Sequence, residues 1–252
     1  MIHLDAGSIA LLAGAAFLAA ATNAMAGGGS LLSFPALLLL GYPALIANVS
    51  NTVGLVSGYA GGSLGYRAEL RGQDARIRLL GAVAGIGAVA GSFLLTITAA
   101  SVFRALVPWL ILVSCGLLVA APLVGSRLQA EARRERQAAP HMVAAGFLSG
   151  VYGAFFGGGL GVLLLAFLSL FVSDDLQRLN ALKGVLSLII NFVAALYFIS
   201  FGPVAWGAVF VMLPASAAGG FLGAGVARFL PAGVLRAVVV LYGIAVAVRL
   251  LV

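Results

Sequence analysis

Acidic side chains are scarce in this chain, and none falls inside an apolar stretch. All seven, Asp5, Glu69, Asp74, Glu131, Glu135, Asp174 and Asp175, stand at segment ends or in connections, so no buried carboxylate is available for a proton relay or a cation site. That argues against a cation pump. Histidine is rarer still: His3 and His141 lie in polar flanks, too isolated for a metal site or a catalytic pair. The single cysteine, Cys115, sits within an apolar segment, which excludes an internal disulfide and a cysteine metal site and leaves packing as its role. There is no G-x-x-x-x-G-K-[ST] phosphate loop, hence no ATPase within the chain. With no nucleophile–base pair or metal constellation, neither an enzyme nor a bound metal or cofactor is expected.

What is present is overwhelmingly apolar. The 252 residues are 63% hydrophobic and 8% charged, a balance far from that of a soluble domain and one that identifies an all-α, polytopic membrane protein. Apolar segments cover residues 9–26, 30–41, 44–66, 76–98, 102–124, 142–157, 160–172, 176–200, 204–227 and 232–252. Several exceed the ~20 residues that span a bilayer as helix, whereas 30–41 and 160–172 are too short to span alone. The first segment lacks the basic flank of a signal peptide and is expected to remain in the mature protein. Thirteen arginines and one lysine give a net charge of +7, but they are scattered over short connections, which reads as topology signal and not as a nucleic-acid surface.

The chain repeats itself. Shifted by 130 residues, FLAAATNAMAGGGSLLSFP from Phe17 meets FLSGVYGAFFGGGLGVLLL from Phe147, and Gly27, Gly28 and Gly29 fall on Gly157, Gly158 and Gly159. The same shift pairs Ser50 with Asn180, Gly54 with Gly184 and Ser57 with Ser187; after a slip of two, residues 102–105 (VFRA) pair with 234–237 (VLRA). Residues 1–125 and 142–252 therefore read as two transmembrane repeats of about five segments, joined by a basic linker over 126–141. The linker arginines, Arg127, Arg133, Arg134 and Arg136, and those of the loop Arg67–Arg78 indicate the cytoplasmic side. The second-half counterpart of that loop, Ser200–Pro203, carries no charge, while the turn Arg228–Arg236 carries two arginines. The charge pattern inverts, which predicts inverted-topology repeats with both termini outside the cytoplasm, a plan that recurs in secondary transporters.

A triple glycine within an apolar run is expected where the chain turns inside protein or lines a wet cavity, giving each repeat a glycine-broken, re-entrant helix pair. The first amides of the short segment after each break point back toward it and suit an anion. Glycine is equally a packing residue at membrane helix contacts, and the recurrence of the triplet before a segment too short to span favours the functional break.

Lys183, the only lysine, shares a helical face with Asn180, Ser187 and Asn191. A lysine so placed either faces a cavity or snorkels toward the interface beside Asp174, Asp175 and Arg178. Its partner at the 130-residue offset is Val53. Segment 44–66 presents Asn48, Ser50, Asn51, Thr52 and Ser57, which either line a path or stitch helices together; Asn23, just before the first break, is the candidate best placed at a cavity.

Together the two GGG triplets, the turn Gly41-Tyr42-Pro43-Ala44 leading into residues 47–52, the helix Asn180-Ala181-Leu182-Lys183 with Ser187 and Asn191, and the five-segment repeat resemble the sulfite exporter TauE/SafE family, also called the 4-toluene sulfonate uptake permease family. The resemblance covers essentially the whole chain. It implies a multi-pass carrier of a bacterial or archaeal inner membrane for a small sulfur-containing anion such as sulfite, a sulfonate or sulfoacetate, with lipid as its surroundings, no nucleic-acid partner, and homo-oligomerisation open. The expected substrate residues are Asn23, Gly27, Gly28, Gly29, Asn51, Gly157, Gly158, Gly159, Asn180, Lys183, Ser187 and Asn191. An anion channel, or a carrier of another small organic anion, is the alternative. The second half reads Leu164-Leu165-Ala166 where the first has Phe34-Pro35, so the two half-sites are not expected to be equivalent, and Lys183 points to one off-centre site.

Overall fold

The computed structural model describes residues 4–25, 27–131, 139–226 and 232–251. Those residues form helices α1 (Ala6–Met25), α2 (Ser30–Leu39), α3 (Ala44–Gly65), α4 (Asp74–Ile97), α5 (Ala100–Glu131), α6 (Ala139–Phe155), α7 (Leu160–Phe171), α8 (Leu176–Phe201), α9 (Trp206–Val226) and α10 (Ala232–Leu251). Each apolar segment of the sequence is one helix. Five helices are long and apolar enough to cross a membrane: α1, α4, the Ala100–Ala120 part of α5, α8 and α9. Helix α3 has the length, at 22 residues, but its Asn48, Ser50, Asn51 and Thr52 lower its hydropathy. All four are buried in the bundle, away from lipid.

One boundary differs from expectation. The polar run placed in the linker continues α5 as helix through Glu131, and α6 already begins at Ala139. Ser126-Arg127-Leu128-Gln129-Ala130-Glu131 consists mainly of good helix formers, so loss of hydrophobicity there marks the end of the membrane and not the end of the helix. Arg133, Arg134, Arg136 and Arg228 lie outside the described residues.

The halves pack crosswise. Helix α9 lies against α1 and α3, and α4 lies against α6 and α8; α3 meets α8, and α5 meets α10. Glycine faces make the crossings close. A side-chain carbon on Gly87 or Gly91 of α4 would collide with the carbonyls of Phe147 and Val151 of α6. On Gly219 of α9 it would strike the carbonyl of Phe17, and on Gly223 it would come within 2.5 Å of the Ala21 Cα. Backbone-to-backbone approach of this kind is how membrane helices gain packing energy without a hydrophobic driving force.

Two ends of the bundle can be told apart. At one, Asp174 in the α7–α8 connection receives hydrogen bonds from Arg76 of α4 and Arg178 of α8, the latter at 2.9 Å. Gln73, fully buried, donates from Nε2 to the carbonyls of Glu69 and Arg178 at 2.9 and 3.1 Å. Burial alone would raise the Asp174 carboxyl, but the Arg76 hydrogen bond, a backbone amide and both guanidinium charges hold it below the usual carboxylate range. At the other end Leu4 approaches Gly207, and the Ala205 amide donates to Ser50 Oγ at 2.8 Å. An apolar recess of about 690 Å³ there is lined by Tyr42, Pro43, Ile46, Val204, Ala205 and Trp206.

Candidate functional site

The first glycine break ends α1 inside the bundle. Gly27 and Gly28 adopt φ of 79° and 85°, conformations costly for any residue with a side chain, and the Gly27 amide closes on the Thr22 carbonyl at 3.0 Å. Asn23 closes this break on itself and ties it to two other helices. Its Oδ1 accepts from the Gly29 amide at 2.7 Å, its Nδ2 donates to the Tyr59 hydroxyl of α3 at 3.1 Å, and its carbonyl accepts from Lys183 Nζ of α8 at 3.0 Å. One helical turn before Lys183, Asn180 Nδ2 donates to the neighbouring Ala24 carbonyl at 3.3 Å. Two of the last carbonyls of α1, those of Asn23 and Ala24, are thus satisfied by nitrogen donors of α8.

Lys183 does not snorkel. It is 1% exposed, and among the described residues no carboxylate pairs with it. The stripe inferred from spacing is real: Asn180, Ser187 and Asn191 are buried beside it. Asn191 Nδ2 donates to the Ser187 carbonyl at 2.9 Å, and the Tyr59 hydroxyl meets Ser30 and Asn191. Between α1, α3 and α8 lies a cavity of about 10 Å³, walled by Asn23, Tyr59, Asn180, Ser187, Gly62 and Gly184. That is room for about one water. Two polar atoms of its wall, Asn180 Oδ1 and Ser187 Oγ, have no hydrogen-bond partner although their residues are 7% and 1% exposed. Unsatisfied buried groups are rare and mark a place for water or ligand.

The two breaks do meet, Gly27 of the first triplet lying against the residues that follow the second. A side-chain carbon on Gly27 would lie 2.8 Å from the Val162 amide and 3.0 Å from the Gly161 Cα, and one on Gly161 would lie 3.6 Å from Lys183 Cδ. Gly161 therefore lets the first turn of α7 lie against both Gly27 and the lysine stem. The second triplet stands elsewhere: the Gly158 carbonyl accepts from Ser114 Oγ of α5 at 2.9 Å and from the Tyr152 hydroxyl of α6. Of the expected substrate residues only Asn23, Asn180 and Ser187 line the cavity; neither glycine triplet does, and Lys183 and Asn191 lie behind its wall. Asn51 is also separate, its Oδ1 accepting from Ser33 Oγ of α2 at 2.6 Å.

The amides of the short helices are largely occupied. Leu31 and Leu32 bond to Gly28 and Gly29, and Leu160 and Val162 bond to Gly157 and Gly159, tightening each first turn. Side chains therefore contribute more of the open donor capacity than the expected backbone cradle. Spacing missed Tyr59 and Gly161. Tyr59 was within reach, since it lies eleven residues after Asn48 and seven after Thr52 on one helical face. Gly161 carried no such signal, because its role depends on which distant helix it faces.

The Asn180 amide and the Ser187 hydroxyl line the small cavity, and the Lys183 side chain stands just behind its wall, on the carbonyl of the lining residue Asn23; together they form a set of donors suited to an oxyanion. A profile of the sulfite exporter TauE/SafE family matches residues 12–250. The chain belongs to that family. Its curated relatives include a probable membrane transporter protein of Haemophilus influenzae, 28% identical over 86% of this chain and 84% of that protein. Another is the probable membrane transporter protein YfcA of Escherichia coli K12, 29% identical over 83% of this chain and 75% of its own length. The Sinorhizobium probable membrane transporter protein ORF9 is 26% identical over 96% and 92%. No solved structure matches. This chain is thus a multi-pass TauE/SafE membrane transporter.

Proposed function

We propose that the protein is a secondary carrier of a small sulfur-containing oxyanion, bound at Lys183 and exposed alternately to the two sides. The observation that carries this reading is Lys183 itself: a lysine 1% exposed, with no carboxylate partner among the described residues, next to a cavity whose Ser187 hydroxyl has no partner. A lone buried charge is expensive, and an anionic substrate supplies what the fold withholds. Lys183 and Asn180 now rest on the Asn23 and Ala24 carbonyls; an arriving oxyanion takes over both donors and Ser187. The released end of α1 then turns about Gly27 and Gly28, which act as a hinge.

We infer further that 1–125 and 142–252 are inverted repeats flanking 126–141. In support, each principal crossing has a counterpart in the other half, α1 on α9 with α6 on α4, and α3 on α9 with α8 on α4. The contacts of Gly219 with Phe17 and of Gly87 with Phe147 pair residues offset by 132 and 130. The site is one-sided. Ser57, offset from Ser187 by 130, donates to the Leu213 carbonyl at 2.6 Å, whereas Ser187 Oγ has no partner. The arginine-bearing end with Asp174 is assigned to the cytoplasm of a bacterial or archaeal inner membrane.

Reconstituted protein should take up labelled sulfite with saturation and support counterflow. Flux that rises linearly with concentration and shows no counterflow would instead indicate a conducting pore.

A further inference from the structure

Most of the described glycines are fixed by contact, and two that line the Asn180–Ser187 cavity are not. Carbons added at Gly58, Gly61 or Gly153 would approach neighbours to 2.6–2.8 Å. At Gly184 the nearest atom to an added carbon is Ser63 Oγ at 3.9 Å; at Gly62 it is the Ala24 Cβ at 3.5 Å, with the Gly220 carbonyl at 3.7 Å. These are ordinary van der Waals separations, so packing does not demand glycine at either position. Both are helical, and glycine weakens a helix interior relative to alanine. The comparison with Gly54 is direct. It stands 130 residues before Gly184, yet a carbon there would come within 2.8 Å of the Met212 Cβ. At the same repeat position, one half uses glycine to admit a neighbouring helix while the other leaves the space open to a cavity.

The unpartnered Asn180 Oδ1 and Ser187 Oγ line that same cavity, and both residues are more than nine-tenths buried. We propose that Gly184 and Gly62 are specificity-determining positions that set the largest anion body the site admits. This rests on the reading of the cavity as the anion site. Donors on α8 hold the oxygen end of the anion; as the end of α1 is released the one-water cavity widens, and the remainder of the molecule lies against its α3 and α8 walls, where Gly62 and Gly184 stand. An added methyl group on either helix takes volume from that remainder without touching the donors.

The test uses the full-length protein in proteoliposomes and a size series: sulfite, methanesulfonate, ethanesulfonate and benzenesulfonate, each competing with labelled sulfite uptake. Gly184→Ala and Gly62→Ala should purify as monodisperse protein. Each should raise the inhibition constant of the largest sulfonate accepted by wild type about tenfold, the discrimination one methylene group provides, while sulfite changes less than about twofold. Equal weakening across the series, or none, overturns the proposal. Lys183→Met in the same assay separates it from the underlying reading: sulfite uptake at the wild-type level in that variant would reject the site itself, whatever the size series shows.

Discussion

Lys183 and Asn23 form the junction on which the account depends, and each gives a prediction at the scale of one side chain. The ammonium lies on the Asn23 carbonyl, so a carboxylate in place of the adjoining carboxamide would give it a permanent counter-ion. Asn23→Asp keeps an oxygen acceptor for the Gly29 amide and should fold, yet it should abolish sulfite uptake, because the lysine no longer needs the substrate's charge. Uptake at the wild-type rate in proteoliposomes would contradict this. The identity of the stripe was legible: Asn180, Lys183, Ser187 and Asn191 share a face by spacing alone, and the structure buries all four. Which carbonyl Lys183 would meet was not legible, since Asn23 is 160 residues away and the contact depends on how α1 ends.

At the scale of helices, the ten segments were readable from hydropathy because each apolar run is one helix, and the short α2 and α7 stood out by length. The extension of α5 to Glu131 was missed, since polarity reports leaving the membrane and says little about leaving a helix. The glycine breaks were legible as breaks. Their division of labour was not: Gly27 faces Gly161, while the Gly158 carbonyl is held by Ser114 and Tyr152. Glycines at helix crossings should behave unlike Gly184. Gly220→Ala places a carbon against the Gly58 backbone, forcing α3 and α9 apart at a cost of about 1–3 kcal/mol. Its thermal unfolding in detergent should fall by several degrees, and an unchanged transition would show that the crossing is looser than described.

For the whole molecule, the proposed inverted topology requires a fixed sidedness. In a Cys115→Ser background, a cysteine replacing Glu69 should react with a membrane-impermeant maleimide from the cytoplasmic side only, and one replacing Ser200 from the opposite side only; the reverse or mixed labelling would reject the inverted topology. The Asp174 pairs tie the first turn of α4 to the α7–α8 connection and the start of α8 at the arginine-bearing end. Because the carboxyl is held below its ordinary range, their contribution is complete near neutral pH and is lost as pH falls through the folded-state value. Asp174→Asn should therefore lower stability at pH 7 by about 1 kcal/mol, as expected for a partly exposed pair, and should flatten the acid dependence of the transition. The central claim is that one buried lysine binds the anion, and binding raises the stability of the native protein. The most direct measurement is thermal unfolding of detergent-purified wild type and Lys183→Met across a sulfite titration: a saturable rise for wild type and none for the variant is predicted, and an equal rise in both would contradict the account.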